Sequence, residues 1–340
     1  MSVATQSETR VVDRILAFTR DVIEREAQDH AFNHSPLLAA ITGRILGDGF
    51  GGESAGAMRQ TQTGGESIVI RMNLGKNAGV KRKSGPWDTN NNAPSDTVRF
   101  SRANWKLYTV PVVLADHELQ VNTGDSAIAS LLQNETTNAM RSVADTVGDD
   151  LYQNNGNSSA VSCLADLVGI GTVQGLNPTT YPVFASRGVT ARGTATASIT
   201  FAGGSFATTG ISNWRLAFNN ASEGMIKPNF IVTDWATYAY YEGQLQPQEQ
   251  FVDTRIGDAG FENFRFKTAP VMADDKCPSG ITYFLNTEYL KFYVLSGADF
   301  DLGEFERVTD QSARIAQISV TGNLCVLNRK YLNKVTGQTA

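Results

Sequence analysis

At 340 residues, with 41% apolar and 19% charged residues, the chain is long enough to bury one large core or two medium ones and has ordinary globular composition. A formal net charge of −5 argues against a broad basic surface of the kind that grips nucleic acid phosphates. Three scattered cysteines, Cys163, Cys277 and Cys325, lack the close pairing of zinc or redox motifs, and no apolar run reaches the length of a membrane span.

The N-terminus lacks the apolar segment of a secretion signal, so export is not expected. From about Glu8 to Asp29, Val11, Val12, Ile15, Phe18, Val22 and Ile23 recur at helical spacing between charged residues. This predicts an amphipathic helix. Pro36 and the glycines at 43, 47, 49, 51 and 52 separate it from the downstream chain, so its apolar stripe needs a partner, on this chain or on a neighbour.

Ser67–Leu74 alternates so that Ile68, Ile70, Met72 and Leu74 share one face of a strand. A second strand is expected in 97–110, where Val98 and Phe100 have one parity and Ala103, Trp105 and Leu107 the other. A bulge near Ser101 and Arg102 would keep one apolar face throughout. The two strands predict a long hairpin. Its connector, 75–96, exceeds ordinary loop lengths and carries Lys76, Lys81, Arg82 and Lys83. Because an isolated two-stranded ribbon is marginal in water, the ribbon is expected to lie on another surface. The connector's charges mark a solvated tip or a contact to an acidic neighbour, and the neighbour is the expectation because the ribbon needs support.

Asp125–Gln153 contains no proline and one internal glycine, Gly148, and its stripe includes Ile128, Leu131, Leu132, Met140, Val143, Val147 and Leu151. These features predict a helix of roughly 43 Å, about three times the usual length. After Asn154 the composition turns to Gly, Ser, Thr and Ala until about Thr209, marking surface loops. An α/β pattern then begins: a helix in 211–225 with Trp214, Phe218 and Ala221 inward, a buried strand in 229–234, and a helix capped by Asp234. Further strands are expected around 261–270, 281–286 and 288–295. A terminal strand pair begins with the alternation of Ala316, Ile318 and Val320.

Enzyme signals are thin. Gly52-Glu53-Ser54-Ala55-Gly56 matches a nucleophile elbow, but no buried strand precedes it, and His117 is the sole downstream histidine. A flexible hinge is the better reading, with a serine hydrolase as the distant alternative. Asp116-His117-Glu118 and the pair His30/His34 lack further ligands at metal spacing. Gly169-Ile170-Gly171 is not followed by the lysine of a phosphate loop. No catalytic residue, cofactor or metal is expected.

The order of an amphipathic arm, a basic-tipped hairpin, a long helix, an α/β region and returning strands resembles the Hong Kong 97-type major capsid proteins of tailed bacteriophages. The more specific pieces are GMIKPNFIVTDWATYAYYE at 224–242 and TGNLCVLNRKYLNKVTG at 321–337. The resemblance implies an α+β capsid fold with an N-terminal arm at 1–50 and an extended E-loop at 51–110. It further implies a peripheral domain at 111–157 and 301–340, with spine helix 125–153, and an axial domain at 158–300. It also implies a non-enzymatic subunit that self-assembles into hexamers and pentamers of an icosahedral shell, built in the host cytoplasm and carried in the virion. The shell would enclose DNA without reading its sequence, mature from a procapsid, and involve a scaffolding protein or segment, a portal and a decoration protein, with no membrane. Candidate contacts between copies are Val11, Ile15, Phe18, Ile68, Ile70, Lys76, Lys81, Arg82, Lys83, Trp87, Phe100 and Trp105. An encapsulin-like compartment shares the fold and is the alternative.

Overall fold

The computed structural model describes residues 35–41, 58–75, 77, 79–89, 97–117, 125–186, 199–200, 206–245, 264–299, 301–307 and 311–339. The expected arm helix, including Val11, Ile15 and Phe18, lies outside them. So do Lys76 and the segment around Ser54.

In chain order, helix α1 (Pro36–Ile41) precedes strands β1 (Arg59–Gln62), β2 (Ser67–Asn73), β3 (Val98–Asn104) and β4 (Lys106–Ala115). Helices α2 (Asp125–Tyr152) and α3 (Leu164–Leu167) come next, then β5 (Ile199–Thr200), α4 (Ile211–Asn220), β6 (Phe230–Thr233) and α5 (Trp235–Leu245). The remaining strands are β7 (Phe264–Phe266), β8 (Ala269–Ala273), β9 (Thr282–Leu285), β10 (Leu290–Leu295), β11 (Asp301–Leu302), β12 (Glu306–Arg307), β13 (Ala313–Val326) and β14 (Asn333–Thr336).

The chain divides into two compact units. One contains Leu107–Val147 and Gly297–Thr321, and the other contains His34–Lys106, Gly148–Ser296 and Gly322–Ala340. In the first, β11 and β12 pair antiparallel with the leading part of β13, as in Leu302 opposite Ile318 and Arg307 opposite Arg314. Strand β4 also pairs with β13. Asp116, just after β4, accepts from Arg307 at 3.2 Å and Ser312 at 3.4 Å, and pairs with Arg314 at 3.6 Å. These bonds tie the strand ends together.

Helix α2 matches its expected span closely. It tolerates hydroxyl residues because Thr137, Ser142 and Thr146 each donate back to the carbonyl four residues earlier, satisfying the side chain within the helix. From 132 to 142 no side chain is buried; Leu132 and Met140 remain partly exposed, whereas Val143 and Val147 are buried. Of the stripe read from the sequence, Ile128 and Leu131 lie outside the described side chains, and the described remainder is only partly covered by this chain.

The core of the second unit is a sheet in the order β5-β14-β9-β6-β8-β7. All four residues of β6 and of β9 are buried, which a strand covered on both faces requires and a continuous apolar run supplies. On one face, Ile231 and Phe284 meet Trp214, Ala217 and Phe218, whose three-and-four spacing puts them on one side of α4. Trp214 packs edge-on against Phe206, Phe266 and Phe284, and its indole N–H donates to Gln338 Oε1 at 2.9 Å. On the other face, Tyr283 meets Tyr152 at the end of α2. Asp234 opens α5 through its main-chain carbonyl, which accepts from the Tyr238 N–H at 3.0 Å.

One domain boundary needs correction. The resemblance groups residues 301–340 with the spine helix, but β14 pairs with β9 and Val335 belongs to the core of the second unit. The sequence between Val326 and Asn333 turns the chain, and β14 enters the second sheet between β5 and β9, burying Asn333 and Val335. Strand β1, pairing in parallel with β10, has no clear signal in the sequence, since RQTQ is polar throughout.

Candidate assembly surface

Strands β2 and β3 form a two-stranded antiparallel ribbon in unbroken register from Ser67 opposite Asn104 to Asn73 opposite Val98. No bulge occurs at Ser101 or Arg102. Instead one parity is buried, with Ile68, Ile70 and Met72 on β2 and Ser101 and Ala103 on β3. The other parity faces out, leaving Val69, Val98 and Phe100 about half exposed. Regular pairing prevails because a small residue and a hydroxyl, Ala103 and Ser101, suit a tightly covered face better than Val98 and Phe100 would.

The cover comes from the same unit. The Arg102 N–H donates to the Gln174 carbonyl at 3.0 Å. The Gln174 amide nitrogen faces Ser101 Oγ at 2.9 Å and the Val326 carbonyl at 3.1 Å, while its oxygen accepts from the Val326 N–H at 3.0 Å. Arg99 donates to the Tyr181 hydroxyl at 3.0 Å. Ile68 and Ile70, expected as contacts between copies, are therefore 1% and 9% exposed within their own chain. The inner face of the ribbon does not wait for a neighbour. Trp105 is also partly engaged, its indole N–H donating to the Gly65 carbonyl at 2.8 Å.

The outer face and the tip remain uncovered. Arg71 lies 5.8 Å from the centre of the Phe100 ring. In the connector, Asp88 Oδ2 accepts from the Ser84 N–H at 2.8 Å and the Ser84 hydroxyl at 3.1 Å, which closes a tight turn and holds the Asp88 carboxyl below its usual range. Lys81 reaches the Thr89 carbonyl at 3.3 Å and Asp88 at 3.9 Å. Arg82 and Lys83 are exposed, as is Trp87, at 94%. An indole in water forgoes the roughly 1.5–3 kcal/mol that burying a large apolar side chain provides.

A residue that sequence reasoning passed over supports this surface. Arg329 is fully buried and donates to three carbonyls, those of Leu167 at 2.7 Å, Gly171 at 2.7 Å and Asp166 at 3.1 Å. Burial lowers its pKa to about 10 against the opposing pull of Asp166, so it remains charged at neutral pH. The guanidinium thereby holds the loop 166–171, and Gln174 lies three residues further on, where it holds the ribbon. An arginine within the apolar run LCVLNRKYL was the available signal.

Among the described residues, few groups are set up for chemistry. Cys163, Cys277 and Cys325 are buried, and desolvation raises each thiol, Cys325 to about 12, away from the thiolate that nucleophilic or metal chemistry requires. Buried Asp274 accepts from Ser35 Oγ at 2.5 Å, Tyr152 at 2.6 Å and the Lys276 N–H at 3.1 Å, so its oxygens are committed to joining three segments. A polar cleft of about 190 Å³ is lined by Lys106, Asn154, Ser158, Ser162 and Gln174, and the Lys106 ammonium is bonded to the Ser158 carbonyl. Among the described residues no cluster of His, Cys, Asp and Glu suits a metal, and no helix is long and apolar enough to cross a membrane.

No family model and no curated protein matches the sequence. Solved structures do. A chain of the cyanophage A-1(L) capsid asymmetric unit superposes with a TM-score of 0.61 at 14% identity, covering 94% of this chain and 96% of that one. The capsid of Myoviridae phage XM1 gives 0.54 at 10% identity over 93% and 96%. The holo-SrpI encapsulin complex from Synechococcus elongatus PCC 7942 gives 0.55 at 11% identity over 100% and 99%. The chain is a mixed α+β protein. Its fold is that of tailed-phage major capsid proteins, the Hong Kong 97-like fold, which the encapsulin shares.

Proposed function

We propose that this chain is the major capsid protein of a tailed phage, a non-enzymatic subunit that closes into an icosahedral shell of hexamers and pentamers around double-stranded DNA. The observation that carries the reading is the likeness to a phage capsid chain along nearly the whole length of both. The partly exposed stripe of α2 and the outward Val69, Val98, Phe100 and Trp87 support it, because apolar surface left in water by one chain is what identical copies can cover.

In this reading 1–50 is the arm, 51–110 the E-loop, 111–157 with the strands after 301 the peripheral domain, and 158–300 the axial domain, which β14 extends. Lys81, Arg82, Lys83, Trp87 and Phe100 are the ribbon contacts that remain. A scaffolding protein or segment, a portal and a decoration protein would act in assembly in the host cytoplasm. Sedimentation of the purified protein tests the proposal: species many times the 36.8 kDa of the chain are expected, and a monomer at all concentrations contradicts it.

The likeness to an encapsulin favours a second reading, a protein compartment holding enzymes. The contents of purified particles decide between them, DNA supporting the capsid and a protein cargo the compartment.

A further inference from the structure

The second unit carries three cations at one place. Arg215 projects from α4, Lys227 from the loop before β6, and Lys267 from the turn between β7 and β8, and all three are at least partly exposed. Lys267 holds a positive φ of 56°, and its ammonium sits 4.8 Å from the centre of the Phe218 ring and 2.6 Å from Asn219 Oδ1. Its pKa is lowered, first by desolvation and then by Arg215 and Lys227, so these charges lie close enough to repel one another. Among the described residues none of the three has a carboxylate partner. Glu223, the carboxylate nearest to Lys227 in sequence, is engaged by Lys330 at 3.1 Å and Tyr331 at 3.4 Å.

The first unit shows the opposite. Asp299, Asp301, Glu304 and Glu306 fall within the eight residues 299–306, without a lysine or arginine among them. Asp301, Glu304 and Glu306 are exposed, and none has a cationic partner among the described residues. They sit on β11, β12 and the link between, whose pairing is with β13 alone.

We infer that the Arg215–Lys227–Lys267 patch of one copy docks on the Asp301–Glu304–Glu306 edge of a second copy. The cations around Lys267 repel one another in the lone chain, and carboxylates brought against them lower that energy. The Asp301–Glu304–Glu306 edge of a second copy offers exposed carboxylates complementary to this patch. The contact joins different patches on the two partners, a head-to-tail arrangement that forms a ring when the rotation between copies closes. The inference rests on the shell reading and names one of its interfaces.

Charge exchange tests it on the full chain. Arg215→Glu with Lys227→Glu alters two surface side chains that have no carboxylate partner among the described residues, so a melting temperature close to wild type is expected. Particle yield should fall by about tenfold or more, because like charges then meet across the contact. Adding Asp301→Lys and Glu304→Lys to that variant should restore assembly. Particles of unchanged yield and salt resistance from the double variant, or no recovery in the fourfold variant, overturn the inference while leaving the shell reading intact. Binding of a DNA duplex that the double variant loses, with assembly unchanged, also overturns it. A wild-type chain that never assembles sinks the shell reading first.

Discussion

The main-chain N–H of Arg102 donates to the carbonyl of Gln174 at 3.0 Å, so a ribbon that is marginal alone is fastened to a loop on its own chain. Gln174 holds a positive φ of 52° and uses its amide as well, bridging Ser101 and Val326. Gln174→Gly keeps that backbone conformation accessible and removes the amide. It should cost about 1–3 kcal/mol through the Val326 groups left unpaired. Hydrogen exchange should quicken in 98–104 before it does in β6 or β9; uniform protection would contradict the fastening.

Arg329→Met removes a buried guanidinium and leaves the carbonyls of Asp166, Leu167 and Gly171 without their donor. A loss of roughly 3 kcal/mol or more is expected in urea unfolding. Arg329→Lys should recover only part of it, since an ammonium cannot span three carbonyls in the plane of a guanidinium. Full recovery by lysine would show that charge alone matters.

Alkaline pH should destabilise the protein in a defined window. Cys325 has its pKa raised from 9.0 to about 12 and Tyr241 from 10.0 to about 12, both by burial. Above the unfolded values the unfolded chain loses these protons while the native chain keeps them, so stability falls as pH rises. The contribution is complete below pH 9.0 and gone by about pH 12. Urea midpoints measured from about pH 8 to 11 should decline, and Cys325→Val should lessen the slope. A flat profile would contradict the burial of these groups.

The outer ribbon face is expected to matter to assembly and little to the monomer. Phe100→Ser replaces a side chain that is 55% exposed, so its effect on unfolding should stay within about 0.5 kcal/mol. Particle yield should nevertheless drop. Shortening 75–96, or changing Lys81, Arg82 and Lys83 to Glu, should likewise leave a folded chain and weaken the particles. Normal particles from all three variants would remove the ribbon from the assembly account.

Much of the fold is legible in the sequence where a local pattern and its burial coincide. The apolar run Phe230–Thr233, the helical spacing of Trp214, Ala217 and Phe218, and the uninterrupted Asp125–Tyr152 each announce their element. The ribbon pairing is legible too, but its face is misjudged at Val98 and Phe100. Assigning every apolar residue inward invites an unneeded bulge, when apolar residues on an outward face are the informative ones. Gln174 and Arg329 stay hidden for another reason: their partners are main-chain groups far along the sequence, which no local pattern reveals. The inner ribbon face reads as a surface for a neighbour because the loop that covers it, 166–181, shows no regular periodicity.

With that face covered at home, the claim of a shell rests on the fold and on the surfaces still open. Electron microscopy of the purified, full-length protein in negative stain tests it most directly. Closed, uniform particles with five- and six-fold arrangements of subunits are the predicted result; a field of single chains under every salt and concentration tried would contradict it.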